Sequence, residues 1–172
     1  MSISLADYIH AVPNFPKPGI LFRDISPLLA SPVAFSLAVD QLAAHALDLG
    51  VSALVAIESR GFIFGAPVAV RAGLPLALVR KPGKLPGAKE RIEYGLEYGS
   101  DALEIKLGAV PTGARVAIID DVLATGGTAA ATVSLIQRTG ASVGGCIFLA
   151  ELRALAGRDK LAEIPVRALV DF

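Results

Sequence analysis

The run VAIIDDVLATGGT, from Val116 to Thr128, sets two adjacent carboxylates, Asp120 and Asp121, after an apolar stretch and follows them with a glycine pair, Gly126 and Gly127, between two threonines. Glycine lets a backbone close on an anion, and the first amides of the helix it opens lack intrahelical partners. With the helix dipole favouring negative charge and the Thr125 and Thr128 hydroxyls as further donors, residues 124–128 are a candidate phosphate cradle. No Lys follows the glycines as a Walker A loop requires, and G-x-G-x-x-G is absent, so neither common nucleotide loop applies. Two carboxylates beside a phosphate repel it unless they hold something else. Carboxylates accept hydrogen bonds from a cis diol, so a ribose 5-phosphate gripped by its phosphate at 124–128 and by its hydroxyls at Asp120 and Asp121 accounts for the whole string. Solvated aspartates at a strand end, ahead of a glycine-opened helix, are the plainer alternative.

The flanking sequence must position these residues. RVAII reads as a strand, DDVLATGG as a loop, TAAATVSLIQRTG as a helix and VGGCIFLA as the next strand. The same pattern occurs once upstream: SALVAI as a strand ending at Ile57, Glu58-Ser59-Arg60-Gly61 as a polar turn, a small-residue helix running to Gly73, and PLALV as a strand. Before it, Ser31-Pro32 supplies an N-cap and first-turn proline. Phe35, Ala38, Val39, Leu42, Ala46 and Leu49 follow at helical spacing, and Gly50 closes the helix. Continuous apolar strands separated by helices imply an α/β fold, a largely parallel twisted sheet flanked by helices, with ligands at the carboxyl ends of its strands. Both polar loops fall at such ends. Two regions stand outside the alternation. Residues 1–30, with Pro13, Pro16, Pro18 and Pro27, read as a folded-over cap in which Phe15, Ile20, Leu21 and Phe22 call for burial. From Lys81 to Lys106, the breakers Pro82, Gly83, Pro86 and Gly87 come first. Ile92, Tyr94, Leu96 and Tyr98 then alternate with Arg91, Glu93 and Glu97, and Leu103 and Ile105 with Glu104 and Lys106, as in a two-stranded arm carrying a mobile loop.

At 172 residues and 53% hydrophobic, the chain has material for one sizeable core, and residues 1–172 are expected to form one domain. Sixteen basic and sixteen acidic residues cancel, which argues against nucleic acid or a membrane as partner and leaves any anion to be bound locally. No apolar run reaches the roughly 18 residues of a membrane span, and MSISLADYIH lacks the basic stretch and apolar block of a secretory signal, so a soluble, cytoplasmic protein is expected. Cys146, the single cysteine, sits among apolar residues and reads as a buried structural thiol. His10 and His45 lie far apart without Cys neighbours, which argues against a His/Cys zinc site and leaves oxygen ligands for any metal.

VAIIDDVLATGGT resembles the phosphoribosyl pyrophosphate signature of the type I phosphoribosyltransferases. FPKPGILFRDISPLL, AIESRGFIFGAPVA, VRKPGKLPG, YGLEYGSDALEI and LAELRALAGRDKL resemble, in order and spacing, the adenine phosphoribosyltransferases, and the pairing of FRDISP with LEYG narrows the resemblance to that branch. The resemblance covers nearly the whole chain. It implies the type I phosphoribosyltransferase fold with an N-terminal hood, residues 1–30, holding the base, and a β-arm with a flexible loop, residues 81–106, over the active site. It further implies that Asp120 and Asp121 hold the ribose and that Ala124, Thr125, Gly126, Gly127 and Thr128 wrap the 5-phosphate. Ser59 and Arg60 are implied near the pyrophosphate, and Arg80 and Lys84 approaching the same leaving group. Cations placed where the charge of a departing diphosphate develops lower the barrier. For adenine, the resemblance points to Phe22 stacking on the ring, Leu21 beside it, and the backbone of Arg23 reading the base edge. A carbonyl that accepts from adenine's exocyclic amine would face the 6-oxo group of hypoxanthine unpaired.

Glu97 in LEYG matches the family's proposed catalytic carboxylate, with Tyr94 and Tyr98 nearby. Strand alternation sets it opposite Leu96 and Tyr98, and it is expected to manage the purine proton as N9 attacks C1 of the ribose through an oxocarbenium-like transition state. The family also implies Mg²⁺ held mainly by substrate oxygens and water, so no protein metal ligand is assigned. The implied reaction joins adenine to 5-phosphoribosyl 1-pyrophosphate, giving AMP and pyrophosphate as in purine salvage, by a homodimer. AKERIEY is more charged than the family's usual version, which leaves the contacts of Lys89, Glu90 and Arg91 open. The alternatives are transfer to another purine base and a non-catalytic regulator that binds the same diphosphate. For the regulator, there is no appended helix-turn-helix or basic surface in its favour.

Overall fold

The computed structural model describes residues 3–95, 100–161 and 163–172. A hairpin of β1 (His10–Pro13) and β2 (Leu21–Asp24) makes an antiparallel sheet of its own. Two helices follow, α1 (Ser26–Ala30) and α2 (Pro32–Asp48), and the Ser31 hydroxyl caps α2 by accepting from the Ala34 amide at 3.3 Å, as its sequence requires. Then come β3 (Ala53–Ile57), α3 (Arg60–Ala72), β4 (Leu76–Arg80), the antiparallel pair β5 (Lys89–Gly95) and β6 (Ser100–Lys106), β7 (Arg115–Leu123), α4 (Gly127–Arg138), β8 (Ser142–Glu151) and β9 (Val166–Asp171).

Among the described residues the main sheet has seven strands in the order β5-β6-β4-β3-β7-β8-β9. β4, β3, β7, β8 and β9 run parallel, and β6 and β5 extend the β4 edge in antiparallel fashion. Both faces are covered, as continuous apolar strands demand. Ala117 and Ile119 pack with Leu42, Phe64 and Val68 from α2 and α3 on one face. Val116 and Ile118 pack with Leu135 and Ile136 from α4 and with Cys146 on the other. Cys146 is fully buried, and burial pushes its thiol pKa up to about 12, which makes it a structural thiol.

The structure departs from the sequence reading in four places. Asp120 and Asp121 lie inside β7, not in a loop, because β8 continues to pair with the strand to Leu123↔Glu151, whereas β3 stops at Ala56↔Ile119. The acidic pair therefore has a strand on one side and the open end of β3 on the other. The polar turn after β3 is shorter than expected, since α3 already starts at Arg60. The two-stranded arm is part of the main sheet through β4–β6 pairing, and Glu104, in solvent phase by alternation, is 3% exposed, with its carboxylate accepting from the Gly83 amide at 3.2 Å. In the cap, Phe15, Ile20 and Leu21 are 50%, 44% and 48% exposed, because Ile20 and Leu21 face an open cleft rather than a core.

Candidate active site

Three neighbouring parallel strands deliver the site from their carboxyl ends. β3 is followed by Glu58 and Ser59, which lead into the first turn of α3 with Arg60; β4 ends at Arg80, with Lys81 next; β7 carries the acidic pair near its end and runs into the 124–126 loop that opens α4. The hood strand β2 lies across these ends. Between them is an open cavity of about 840 Å³ lined by Leu21, Phe22 and Arg23, by Ser59 and Arg60, by Lys81, and by Asp120, Asp121, Ala124, Thr125 and Thr128. A volume of this order suits a small-molecule ligand. Beside it a concavity of about 100 Å³ is formed by Ala124 to Ala129 with Asp120 and Phe148, and it contains Gly126 and Gly127. Local sequence makes that cradle. Gly126 takes φ +77°, which a side chain would strain, and α4 carries no acidic residue in its first turn to compete with an anion for its amides.

Asp121 is buried, to 4% exposure, and Asp120 beside it is half-buried. Burial, and then the charge of Asp121, hold the Asp120 carboxyl well above the usual carboxylate range; burial also raises Asp121, with Arg60 opposing. Asp120 Oδ1 accepts from the Asp121 amide at 2.9 Å. Arg60 Nε stands 2.8 Å from Asp121 Oδ2, an ion pair outside hydrogen-bond alignment, so this buried oxygen has no hydrogen-bond donor among the described residues. An acidic pair with one buried oxygen short of a hydrogen-bond donor suits a ligand that brings hydroxyl groups. The pair can sit this deep because Gly61 lets α3 approach it: a Cβ there would lie 2.8 Å from Asp120 Oδ1 and 2.9 Å from the Ile119 carbonyl oxygen.

The Arg60 guanidinium lies 5.0 Å from the centroid of the Phe22 ring and so links the start of α3 to the hood. Arg23 is stacked at 3.7 Å on the ring of Phe172, which also lines the cavity. Ser59 is exposed at the start of α3, and its side chain makes no cap hydrogen bond. Arg80 and Lys84 are not brought into the cavity lining. Arg80 Nε and Nη2 fork onto Glu58 at 3.3 and 2.9 Å, Nη1 donates to the Lys84 carbonyl at 3.3 Å, and this pairing lowers the Glu58 pKa. Glu97, with Leu96, Tyr98 and Gly99, lies outside the described residues.

Sequence reasoning passed over Lys81. It lines the cavity, pairs with Asp101, and sits 6.0 Å from the ring centroid of Tyr94. Tyr94 Oη in turn donates to Asp101 Oδ2 at 3.3 Å and lies 3.2 Å from Thr128 Oγ1, which ties β5 to the cradle. Strand parity carries the missed signal. Ala77 and Val79 face the α4 side and Lys81 follows in their phase, whereas Arg80 follows Leu76 and Leu78 towards Phe62 on α3. Phe172 was missed too. Nothing in the local sequence marks it, since its partner Arg23 is remote in the chain.

The model of the phosphoribosyl transferase domain matches residues 33–167. Over 170 residues, 99% of this chain and 100% of the relative, the sequence is 51% identical to an adenine phosphoribosyltransferase of Carboxydothermus hydrogenoformans. The crystal structure of adenine phosphoribosyltransferase from Thermoanaerobacter pseudethanolicus matches with a TM-score of 0.93 at 46% identity, covering 98% of this chain and 100% of that one. The Saccharomyces cerevisiae enzyme of the same name, solved with an imino-altritol bisphosphate and adenine, matches with a TM-score of 0.91 at 41% identity and 96% coverage of each chain. With a glycine loop, an acidic pair and a hood around one cavity, and with full-length identity near one half, the chain belongs to the phosphoribosyltransferase family and, within it, to the adenine phosphoribosyltransferases.

Proposed function

We propose that the protein transfers the phosphoribosyl group of 5-phosphoribosyl 1-pyrophosphate to adenine, forming AMP and pyrophosphate. The observation that carries this is the Asp120–Asp121 pair, in which the buried Asp121 Oδ2 lacks a hydrogen-bond donor, next to a glycine cradle and beneath a hood that offers an aromatic ring and a main-chain edge. The amides of residues 124–128 and the Thr125 and Thr128 hydroxyls hold the 5-phosphate, and the ribose hydroxyls donate to Asp120 and Asp121. Phe22 stacks on adenine beside Leu21, and the Arg23 backbone reads its edge, roles that family resemblance supports; the yeast relative solved with adenine supports adenine as the base. Arg60 spends Nε on Asp121 and keeps the other N–H groups of its fork for the diphosphate, with Ser59 and Lys81 beside it. Arg80 and Lys84 approach the leaving group from outside the present lining, and Glu97 manages the proton at N9; family resemblance supports both roles.

The residues present fit Mg²⁺ held mainly by the substrate. Among the described residues no cluster of three or more His, Cys, Asp or Glu could cage a metal alone, yet the acidic pair brings oxygen ligands to the edge of the cavity. When bound, the ion would neutralise charge on the diphosphate. We also propose a homodimer with a cytoplasmic address. The resemblance supports the dimer, as do exposed Val33 and Leu47 on α2 and Ile63 and Val70 on α3, apolar surface that a second copy would cover; a monomer in sedimentation equilibrium refutes it. Among the described residues no helix is long and apolar enough to cross a membrane.

Incubation with the diphosphate donor, Mg²⁺ and each base in turn tests the reaction. AMP from adenine, with little nucleotide from hypoxanthine or guanine, is expected. No AMP from adenine overturns the proposal. Turnover of a Glu97→Gln variant near the normal rate removes Glu97 from the chemistry.

A further inference from the structure

The phosphate loop presses against a second stretch of backbone. A Cβ on Gly126 would lie 2.3 Å from the Gly157 carbonyl oxygen, and a Cβ on Gly157 would lie 2.2 Å from the Ala124 carbonyl oxygen and 3.1 Å from the Gly126 nitrogen. The nearest obstacle on each side is a main-chain carbonyl, and only Leu123 Cδ1, 3.1 Å from a Cβ on Gly157, is side chain, so side-chain rotation alone relieves neither clash. Gly157 is held in place. Glu151, the last residue of β8 and 3% exposed, accepts from Arg158 Nε at 2.7 and 2.9 Å and from Nη2 at 2.7 Å, while Nη1 donates to the Val166 carbonyl at 3.1 Å. At the other end, the Leu152 amide donates to the Leu123 carbonyl and the Arg153 amide to the Phe172 carbonyl, both at 2.9 Å. A bidentate pair with one member buried resists displacement, because breaking it strands a desolvated carboxylate. The segment 151–158 is thus strapped at both ends, whereas the loop against it is three residues long and built for backbone freedom at Gly126.

We propose that Gly157 is a positioning residue, the template against which residues 124–126 take the curvature that fits a phosphate, with the Glu151–Arg158 fork as its clamp. This rests on the reading of residues 124–128 as the 5-phosphate cradle. Adding one methyl at Gly157 pushes the loop away from its template rather than unfolding the strap, and the cradle's amides lose their convergence. The base side is affected less, because the atoms nearest a Cβ on Gly157 belong to Leu123, Ala124 and Gly126 and none to Leu21, Phe22 or Arg23.

The test measures ribose 5-phosphate affinity by calorimetry, and KM for the diphosphate donor and for adenine, in wild type, Gly157→Ala and Arg158→Lys. For Gly157→Ala, ribose 5-phosphate binding should weaken and the donor KM rise about tenfold or more, equivalent to ~1.4 kcal/mol, while adenine KM stays within about twofold. Arg158→Lys keeps the charge but loses the fork, and should shift the same parameters in the same direction by less. Unchanged ribose 5-phosphate affinity in Gly157→Ala overturns the template, as does a parallel rise in both KM values, the mark of general loosening. Should Gly157→Ala not fold, Arg158→Lys decides, and wild-type donor KM there overturns it. If wild type binds ribose 5-phosphate but makes no AMP, the reaction reading falls while the template stands; if wild type does not bind ribose 5-phosphate, the template falls with the cradle.

Discussion

Gly61→Ala tests how the acidic pair is held. The new Cβ would stand 2.8 Å from Asp120 Oδ1 and 2.9 Å from the Ile119 carbonyl, against about 3.4 Å for ordinary contact, so something must move by about half an ångström. The Ile119 carbonyl belongs to a central strand and cannot. The start of α3 must lift, taking Ser59 and Arg60 with it, or the Asp120 carboxylate must turn from the position that accepts from the Asp121 amide at 2.9 Å. Overpacking of this kind costs about 1–3 kcal/mol, and a reacting group misplaced by a fraction of an ångström to an ångström loses roughly tenfold to a hundredfold in rate. Steady-state kinetics with varied donor, beside a thermal melt, measures both. Gly65→Ala is the control: its Cβ would meet Ala56 Cβ at 2.6 Å, one turn further from the carboxylates, so it should destabilise α3 while disturbing donor kcat/KM less. If Gly61→Ala keeps donor kcat/KM within about twofold of wild type, or if Gly65→Ala loses just as much, the close approach of α3 is not what positions the pair.

Asp120→Asn should trade function for stability. The native chain keeps a proton on Asp120 that the unfolded chain releases above its ordinary pKa of 3.8, so the unfolded state binds fewer protons and stability falls as pH rises through the window up to the raised native value. Asparagine removes that fall: thermal melts at neutral pH should show a higher Tm than wild type with ribose 5-phosphate binding lost, and an equally steep fall with pH would contradict the assignment. Tyr94→Phe removes an oxygen that reaches both Asp101 and Thr128, and should cost about 1 kcal/mol, read as a Tm lower by about 2–4 °C; an unchanged Tm would mean that the β5 link to the cradle contributes nothing. Phe172→Leu takes away the ring on which Arg23 is stacked and should raise adenine KM about two- to fivefold with donor KM unchanged, whereas the reverse pattern would place Phe172 on the donor side.

Much of the site was legible because it is local. Strand, acidic pair, glycine pair and helix occupy consecutive residues, and each follows from backbone preference and orphan amides without reference to the rest of the molecule. The Ser31 cap and the βαβ alternation were readable for the same reason. Misreadings fell where a side chain's surroundings depend on a neighbour remote in sequence. Asp120 looked like a loop residue because nothing near it says that β8 outruns β3; Glu104 looked solvated because alternation does not know that Gly83 and Lys89 fold over it. Ile20 and Leu21 looked like core because apolar character demands burial but does not say against what.

By itself, the sequence determined the glycine loop, the acidic pair, the largely parallel sheet and, through resemblance, the family. Only the tertiary structure decided that Lys81 and not Arg80 lines the cavity, that Phe172 supports Arg23, and that Gly157 presses on the 124–126 loop. Periodicity and backbone propensity are properties of contiguous residues, whereas a cavity wall, a stacked ring and a close approach of two backbone segments exist only once strands far apart in the chain have been laid side by side.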